Sequence, residues 1–139
     1  MQAALEKIPA WMIQAARFLA VGVLNTALDA AIYYALTRTI PFFGSWPVYA
    51  KAISYSAGIL NSFFWNRLWT FRSHASAGST LLPYALTNLS GLALNTGAMQ
   101  LALKILGLPE AVSFIFATGL STGWNFMISK FLIFRKSGG

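Results

Sequence analysis

The chain has 139 residues, 57% of them hydrophobic and 9% charged, whereas a soluble domain carries roughly 25% charged residues. So little polar surface cannot cover a globule in water, and the solvent is read as lipid. The formal net charge of +7, from ten Lys and Arg against three acids, is scattered between apolar runs; it marks topology and attracts anionic lipid, and nucleic-acid binding is not expected.

In chain order, MQAALEKIPAWMIQAARF comes first. Glu6, Lys7 and Pro9 fall where the apolar core of a signal peptide would lie, so no cleaved leader is expected. Ile8, Trp11 and Met12 suit a short interfacial segment, with a disordered lead-in as the other reading. Four apolar segments follow, at about 15–36, 48–71, 82–106 and 111–134. Each is near the roughly 20 residues that a bilayer core requires of a helix. The breaks between them have their own chemistry. RTIPFFGSWP holds Pro41, Gly44 and Pro47, which interrupt helices. SHASAGST is small and polar, as a linker should be. LGLPE places Gly107 after one helix and Pro109 and Glu110 where the next begins.

With four spans, both termini and the middle linker share one side. Lys7, Arg17, Arg67, Arg72, Lys130, Arg135 and Lys136 lie there, against Arg38, Lys51 and Lys104 on the other. This bias predicts an inner-membrane protein with both termini in the cytoplasm.

The two halves align as internal repeats, about 15–73 and 80–136. Phe71-Arg72 meets Phe134-Arg135, Arg67 meets Lys130, Asn66 meets Ser129, and Ser62 meets Asn125. Earlier, Phe18 meets Tyr84, Leu28 meets Leu94, and Asp29 meets Asn95. The predicted fold is all-α: a single transmembrane domain, an integral membrane four-helix bundle made of two parallel helical-hairpin repeats.

Polar residues recur inside the spans. Thr118, Thr122, Asn125 and Ser129 fall on one helical face, and Tyr55, Ser62 and Asn66, with Asn61 beside them, take the equivalent places. Singly these are helix–helix glue; as a recurring set they read as a polar interior. Gly119 and Gly123 suggest close helix packing. Asp29 is an acid well inside a span. A functional role is the default, and the alternative is a structural carboxylate bonded to Asn or Tyr. The basic endings also carry two readings. Arg67, Arg72, Lys130 and Arg135 serve either as interfacial anchors or, with Arg17 on the same side, as a lipid-phosphate site.

His74 is the only His, Cys is absent, and the three acids lie apart. No catalytic pair, metal-ligand spacing, phosphate loop or disulfide can be assembled. Neither enzyme activity nor a cofactor is expected.

RFLAVGVLNTALD, ILNSFFWNRLWTFR, LSGLALN and NFMISKFLIFR resemble the GtrA-like family of small membrane proteins. The resemblance runs from about Arg17 to Arg135. It departs at the second ending, where Ser129-Lys130 and Leu132 replace the Asn-Arg and Trp pattern. It implies four spans, a role in cell-surface polysaccharide synthesis or glycosylation, and flipping of a polyprenyl-phosphate-linked sugar. The implied sugar cavity comprises Asp29, Asn61, Ser62, Asn66, Asn95, Thr122, Asn125 and Ser129. The implied phosphate site comprises Arg17, Arg67, Arg72, Lys130 and Arg135. A non-transporting anchor for a membrane glycosyltransferase is one alternative. A small multidrug-type exporter using Asp29 as its proton site is the other. A sugar needs more room than four helices leave, so a homo-oligomer is expected.

Overall fold

A computed structural model describes residues 7–135. Glu6 and Lys136, which entered the leader and charge readings, lie outside them. The described residues contain helices and no strand. The chain, read as one domain from its sequence, divides after Arg72 into two compact units, Met1–Arg72 and Ser73–Gly139.

The first unit is a hairpin of α1 (Ala10–Thr39) and α3 (Pro47–Trp65), joined by the short α2 (Pro41–Ser45). Proline marks the boundaries up to the start of α3. Pro9 precedes α1, and Pro41 and Pro47 each open a helix, where a missing N–H costs nothing. Ile40 is forced into extended backbone, φ −114° and ψ 113°, because the residue before a proline is excluded from the helical region. After α3 the backbone widens into a π-helical segment, Asn66–Thr70, closed by the Phe71 N–H donating 2.9 Å to the Asn66 carbonyl.

The second unit pairs α4 (Ala77–Gln100) with α5 (Glu110–Ile128). Ser76 caps α4 by accepting from the Ser79 N–H at 3.2 Å. A π segment, Leu101–Ile105, ends that helix. Gly107 then turns the chain at φ +64°, and the Leu108 N–H reaches back 2.9 Å to the Ala102 carbonyl. This is the glycine-terminated helix end expected from LGLPE. α5 runs into another π segment, Ser129–Ile133, closed by Phe134 N–H to the Ser129 carbonyl at 2.8 Å.

What lies inside each hairpin is small and often polar. Along α3 and its π segment, Ala50, Ser54, Gly58, Ser62, Asn66 and Thr70 are all buried, each four residues from the last. In the second hairpin Ser113, Ala117, Ser121, Ser129 and Ile133 are buried on the same spacing, with Asn125 half-buried in its turn. Residues four apart form a ridge along a helix, and small side chains in that ridge let a neighbour come close. The approach is closest at two crossings. A Cβ added to Gly58 would sit 3.1 Å from Asn25 Oδ1, and one added to Gly91 would collide with Asn125 Oδ1. Gly119 and Gly123, expected at close packing, have open space where a Cβ would go.

The outside is apolar. Leu19, Val23, Leu24, Phe64, Leu82, Phe114, Ile115 and Leu132 are among many exposed large hydrophobics, while polar residues are as numerous as apolar ones among the buried non-glycine residues described. A water-soluble core sorts the other way. Some exposed hydroxyls are met by their own helix: Thr26 donates 2.9 Å to the Gly22 carbonyl, and Thr96 donates 3.0 Å to the Leu92 carbonyl. These side chains can therefore face hydrocarbon without an unmet donor. Two helices, Ala10–Thr39 and Glu110–Ile133, are long and apolar enough to cross a membrane. The helical stretches 47–70 and 77–105 are comparably long but diluted by Ser, Thr, Asn and charge.

The Gly91 crossing makes a testable pair. Gly91→Ala should lower the thermal midpoint in detergent, at a cost of about 1–2 kcal/mol from overpacking. Adding Asn125→Ala should recover most of that loss. Additive losses in a double-mutant cycle would show that the two residues do not share this space.

Candidate functional site

The first hairpin carries the best-formed cationic end. Arg17, half-buried on α1, donates from Nη1 to the Trp69 carbonyl at 3.0 Å. Its guanidinium also stands 5.3 Å from the centre of the Trp69 ring. Both contacts suit a planar cation: the carbonyl is at the negative end of a helix, and the ring face is electron-rich. Trp65 meets Trp69 edge-on at 6.3 Å. Beside Arg17 opens a hollow of about 450 Å³ lined by Ile8, Met12, Ile13, Ala16 and Trp69. One cationic head next to an apolar hollow is the pattern of a site for an amphiphile with a negative head.

The π segment organises the remaining groups at this end. Thr70 donates 2.8 Å to Asn66 Oδ1 in a buried bond, so Asn66 holds the segment through both its side chain and its carbonyl. The wider turn leaves Phe71 buried against Phe18, with ring centres 6.1 Å apart. Arg67 is half-buried on the segment itself. Arg72 is exposed at φ +47°, a left-handed conformation that side chains with a Cβ resist. That turn lets Phe71 and Ser73 both be buried while the guanidinium points out.

In the second hairpin, Phe134 is buried against Tyr84 at 5.6 Å. Lys130 lies over Phe126 and Phe131, at 5.9 and 5.6 Å. Arg135 is exposed. The basic residues expected at a phosphate site thus fall into two groups: Arg17, Arg67 and Arg72 on one hairpin, Lys130 and Arg135 on the other.

The polar set divides by use. Asn95 donates 3.1 Å to Ser121 Oγ, and Ser62 donates 3.1 Å to the Ile59 carbonyl. Asn66 is occupied in the π segment. By contrast, buried polar atoms of Asn25, Asn61, Asn125 and Ser129 have no hydrogen-bond partner. Of the face read from Thr118, Thr122, Asn125 and Ser129, Ser129 is buried, Asn125 and Thr122 are half-buried, and Thr118 is exposed. Before Asn125 the buried row passes through Ser113, Ala117 and Ser121 instead.

Asp29 is not bonded to Asn or Tyr, the structural alternative set out above. Its Oδ2 accepts from Lys51 Nζ at 2.6 Å, an ion pair whose side chains are 19% and 56% exposed. The pair borders a second hollow, also within this hairpin. Position 114, equivalent to Lys51 in the repeat alignment, holds Phe, and the site equivalent to Asp29 holds the neutral Asn95. Neither equivalent position carries a charge.

The segment from Arg17 to Phe134 matches the family described as GtrA/DPMS, transmembrane domain. The chain belongs to that family. Family members are in general non-enzymatic membrane proteins. A curated relative is the uncharacterized membrane protein YngA of Bacillus subtilis (strain 168), 36% identical over 75 residues. That match covers 53% of this chain and 48% of the relative, so the chain spans about half the length of the curated relative it matches. The family match begins at the arginine that meets Trp69 and ends at the phenylalanine that closes the last π segment.

Sequence reasoning missed Lys51 as the partner of Asp29, the Asn25–Gly58 and Gly91–Asn125 crossings, and the bond from Trp124 Nε1 to Ser90 Oγ at 2.9 Å. Each hairpin holds several Asn and Gly, and only the helical register shows which pair meets.

Two measurements follow from these contacts. Replacing Asp29 by Asn or Lys51 by Gln should each lower the thermal midpoint. The double substitution should recover part of the loss, with a coupling near 1 kcal/mol because Lys51 is more than half exposed. Purely additive effects would mean that the pair does not form. Separately, Arg72→Gly should raise the thermal midpoint, a gain of about 0.5–1 kcal/mol in stability, through relief of the left-handed backbone. A loss of stability would show that the Arg72 side chain holds the structure.

Proposed function

We propose that this GtrA-family protein flips a polyprenyl-phosphate-linked sugar across the cytoplasmic membrane, for cell-surface polysaccharide synthesis or glycosylation. In this reading four helices span the bilayer as two parallel hairpin repeats, with both termini in the cytoplasm. The observation that carries it is Arg17 beside the apolar hollow of Ile8, Met12, Ile13 and Trp69. The guanidinium offers donors to a phosphate beyond the one spent on Trp69, and the hollow accepts the start of an isoprenoid chain. Arg67 and Arg72 follow within the same hairpin and add charge for the same headgroup. Lys130 and Arg135 are proposed as the matching cations of the other repeat. Buried polar atoms of Asn25, Asn61, Asn125 and Ser129 that lack partners support a path for hydroxyl-rich cargo.

The exporter alternative finds less support. Lys51 already neutralises Asp29 at 2.6 Å, so a second cation meets no unbalanced carboxylate. The anchor reading predicts the same membrane insertion but no translocation, which makes transport the deciding property.

The test is reconstitution into vesicles with a fluorescent short-chain polyprenyl-phosphate sugar, read by a quencher confined to the outer solution. Protein should speed exchange between leaflets by at least tenfold over protein-free vesicles. Arg67→Lys, which keeps charge but loses the planar fork, should slow it severalfold, and Arg17→Gln further still. Exchange equal to protein-free vesicles would leave the anchor reading.

A further inference from the structure

The second hollow of the first hairpin is built from side chains that the phosphate end does not use. It measures about 590 Å³, and its polar lining is Thr26, Asp29, Tyr33, Tyr34 and Lys51. That volume falls within the roughly 300–1,000 Å³ of small-molecule sites. Tyr33 and Tyr34 meet edge to face, centres 5.3 Å apart and planes at 76°, so their rings form a corner. Tyr34 is 56% exposed, which leaves ring surface available to a ligand. Lys51 and Asp29 together contribute no net charge, yet offer ammonium donors and, at Asp29 Oδ2, a carboxylate acceptor in one pair, while Asp29 Oδ1 is buried.

We propose that this hollow binds the sugar of the lipid-linked substrate, one pyranose ring against the Tyr33–Tyr34 corner with its hydroxyls bonded by the Asp29–Lys51 pair. The inference rests on the flipping reading above and names where in the chain the sugar is recognised. Aromatic faces carry negative charge that attracts the polarised C–H bonds of a sugar's apolar face. Hydroxyls both donate and accept, so a neighbouring carboxylate and ammonium satisfy one ring better than either charge alone. A simple cation gains little, because Lys51 already occupies Asp29. Arg38, 5.9 Å from the centre of the Tyr34 ring, supplies further positive potential at the rim and disfavours cations again. The site is one per chain. Under the repeat alignment Asn95, Met99, Gln100 and Phe114 stand where Asp29, Tyr33, Tyr34 and Lys51 do, and they form neither an ion pair nor an aromatic corner.

The experiment is saturation-transfer NMR on the full chain in phosphatidylcholine nanodiscs, free of sugar-headed detergent. The probes are D-glucose, D-mannose, N-acetyl-D-glucosamine and D-glucuronic acid, with choline as the cation. At least one sugar should show transfer to its ring protons, and choline none. Tyr34→Ala and Lys51→Met should each cut the sugar signal at least fivefold, and Lys104→Gln should leave it unchanged. The charge-exchanged protein, Asp29→Lys with Lys51→Asp, keeps the pair and should retain at least half the signal, which separates loss of the site from loss of folding. Absence of transfer for every sugar overturns the proposal, as does an undiminished signal in both Tyr34→Ala and Lys51→Met. If no sugar binds while vesicle exchange persists, the hollow is wrong and the flipping reading stands. If a sugar binds through these residues while exchange is absent, the hollow stands and the flipping reading falls.

Discussion

Close approach of two helices along a row of small side chains is the constraint on which each hairpin depends. In lipid there is no hydrophobic gain from pressing helices together, because the solvent is as apolar as Leu. Contact must come from fit and from polar bonds. Ala50, Ser54, Gly58, Ser62, Asn66 and Thr70 supply the fit on α3 and its π segment, buried at every fourth place. Once the helices touch there, Asn25 reaches Gly58 and Asp29 reaches Lys51. In the other hairpin the same spacing brings Asn95 to Ser121 and Trp124 to Ser90. Each polar contact is a consequence of the approach, not its substitute.

This inverted arrangement unites what otherwise look like separate oddities. Many large apolar side chains lie outside, outer-face Thr26 and Thr96 bond to their own backbone, and small polar groups line the inside, where Ser54, Ser62 and Ser121 bond within their own helices. Arginine is handled at the edge. Arg17 rests on a helix-end carbonyl and an indole, contacts that suit a charged head whose stem lies along apolar surface. The same contact that anchors Arg17 also holds it beside the apolar hollow, so anchoring and ligand binding need not compete for the residue.

Much of this was legible in the sequence. Composition gave the solvent; Pro41, Pro47 and Gly107 gave the helix ends; the rarity of an acid inside a span singled out Asp29. On α5 the reading caught Ser129 and half-buried Asn125 on the buried row, but its Thr118 is exposed, for a physical reason. Thr118 and Thr122 drew the reading because they are polar, but helical hydroxyls can satisfy themselves on a carbonyl one turn back, as Thr26 and Thr96 do. Size decides the face instead, and Ser113, Ala117 and Ser121 are the small ones. Gly119 and Gly123 misled in the opposite way: being small permits contact, but a neighbour must lie on that side. The π segments had no signal, since an i→i+5 bond is a choice of backbone phase that many sequences can make.

The two glycine crossings have a consequence for how such chains diverge. In the first hairpin the carboxamide comes from α1 and the bare α-carbon from α3; in the second the Asn is on α5 and the Gly on α4. In the repeat alignment Asn25 stands at the place of Gly91, whereas Asn125 stands at the place of Ser62, one helical turn from Gly58. Two Asn would not fit between helices this close, and two Gly would leave a void. Either partner alone is therefore nearly free to drift only if the other drifts with it. Among related chains the two positions of each crossing should vary as a linked pair, a coupling written into sequence families by the width of one side chain.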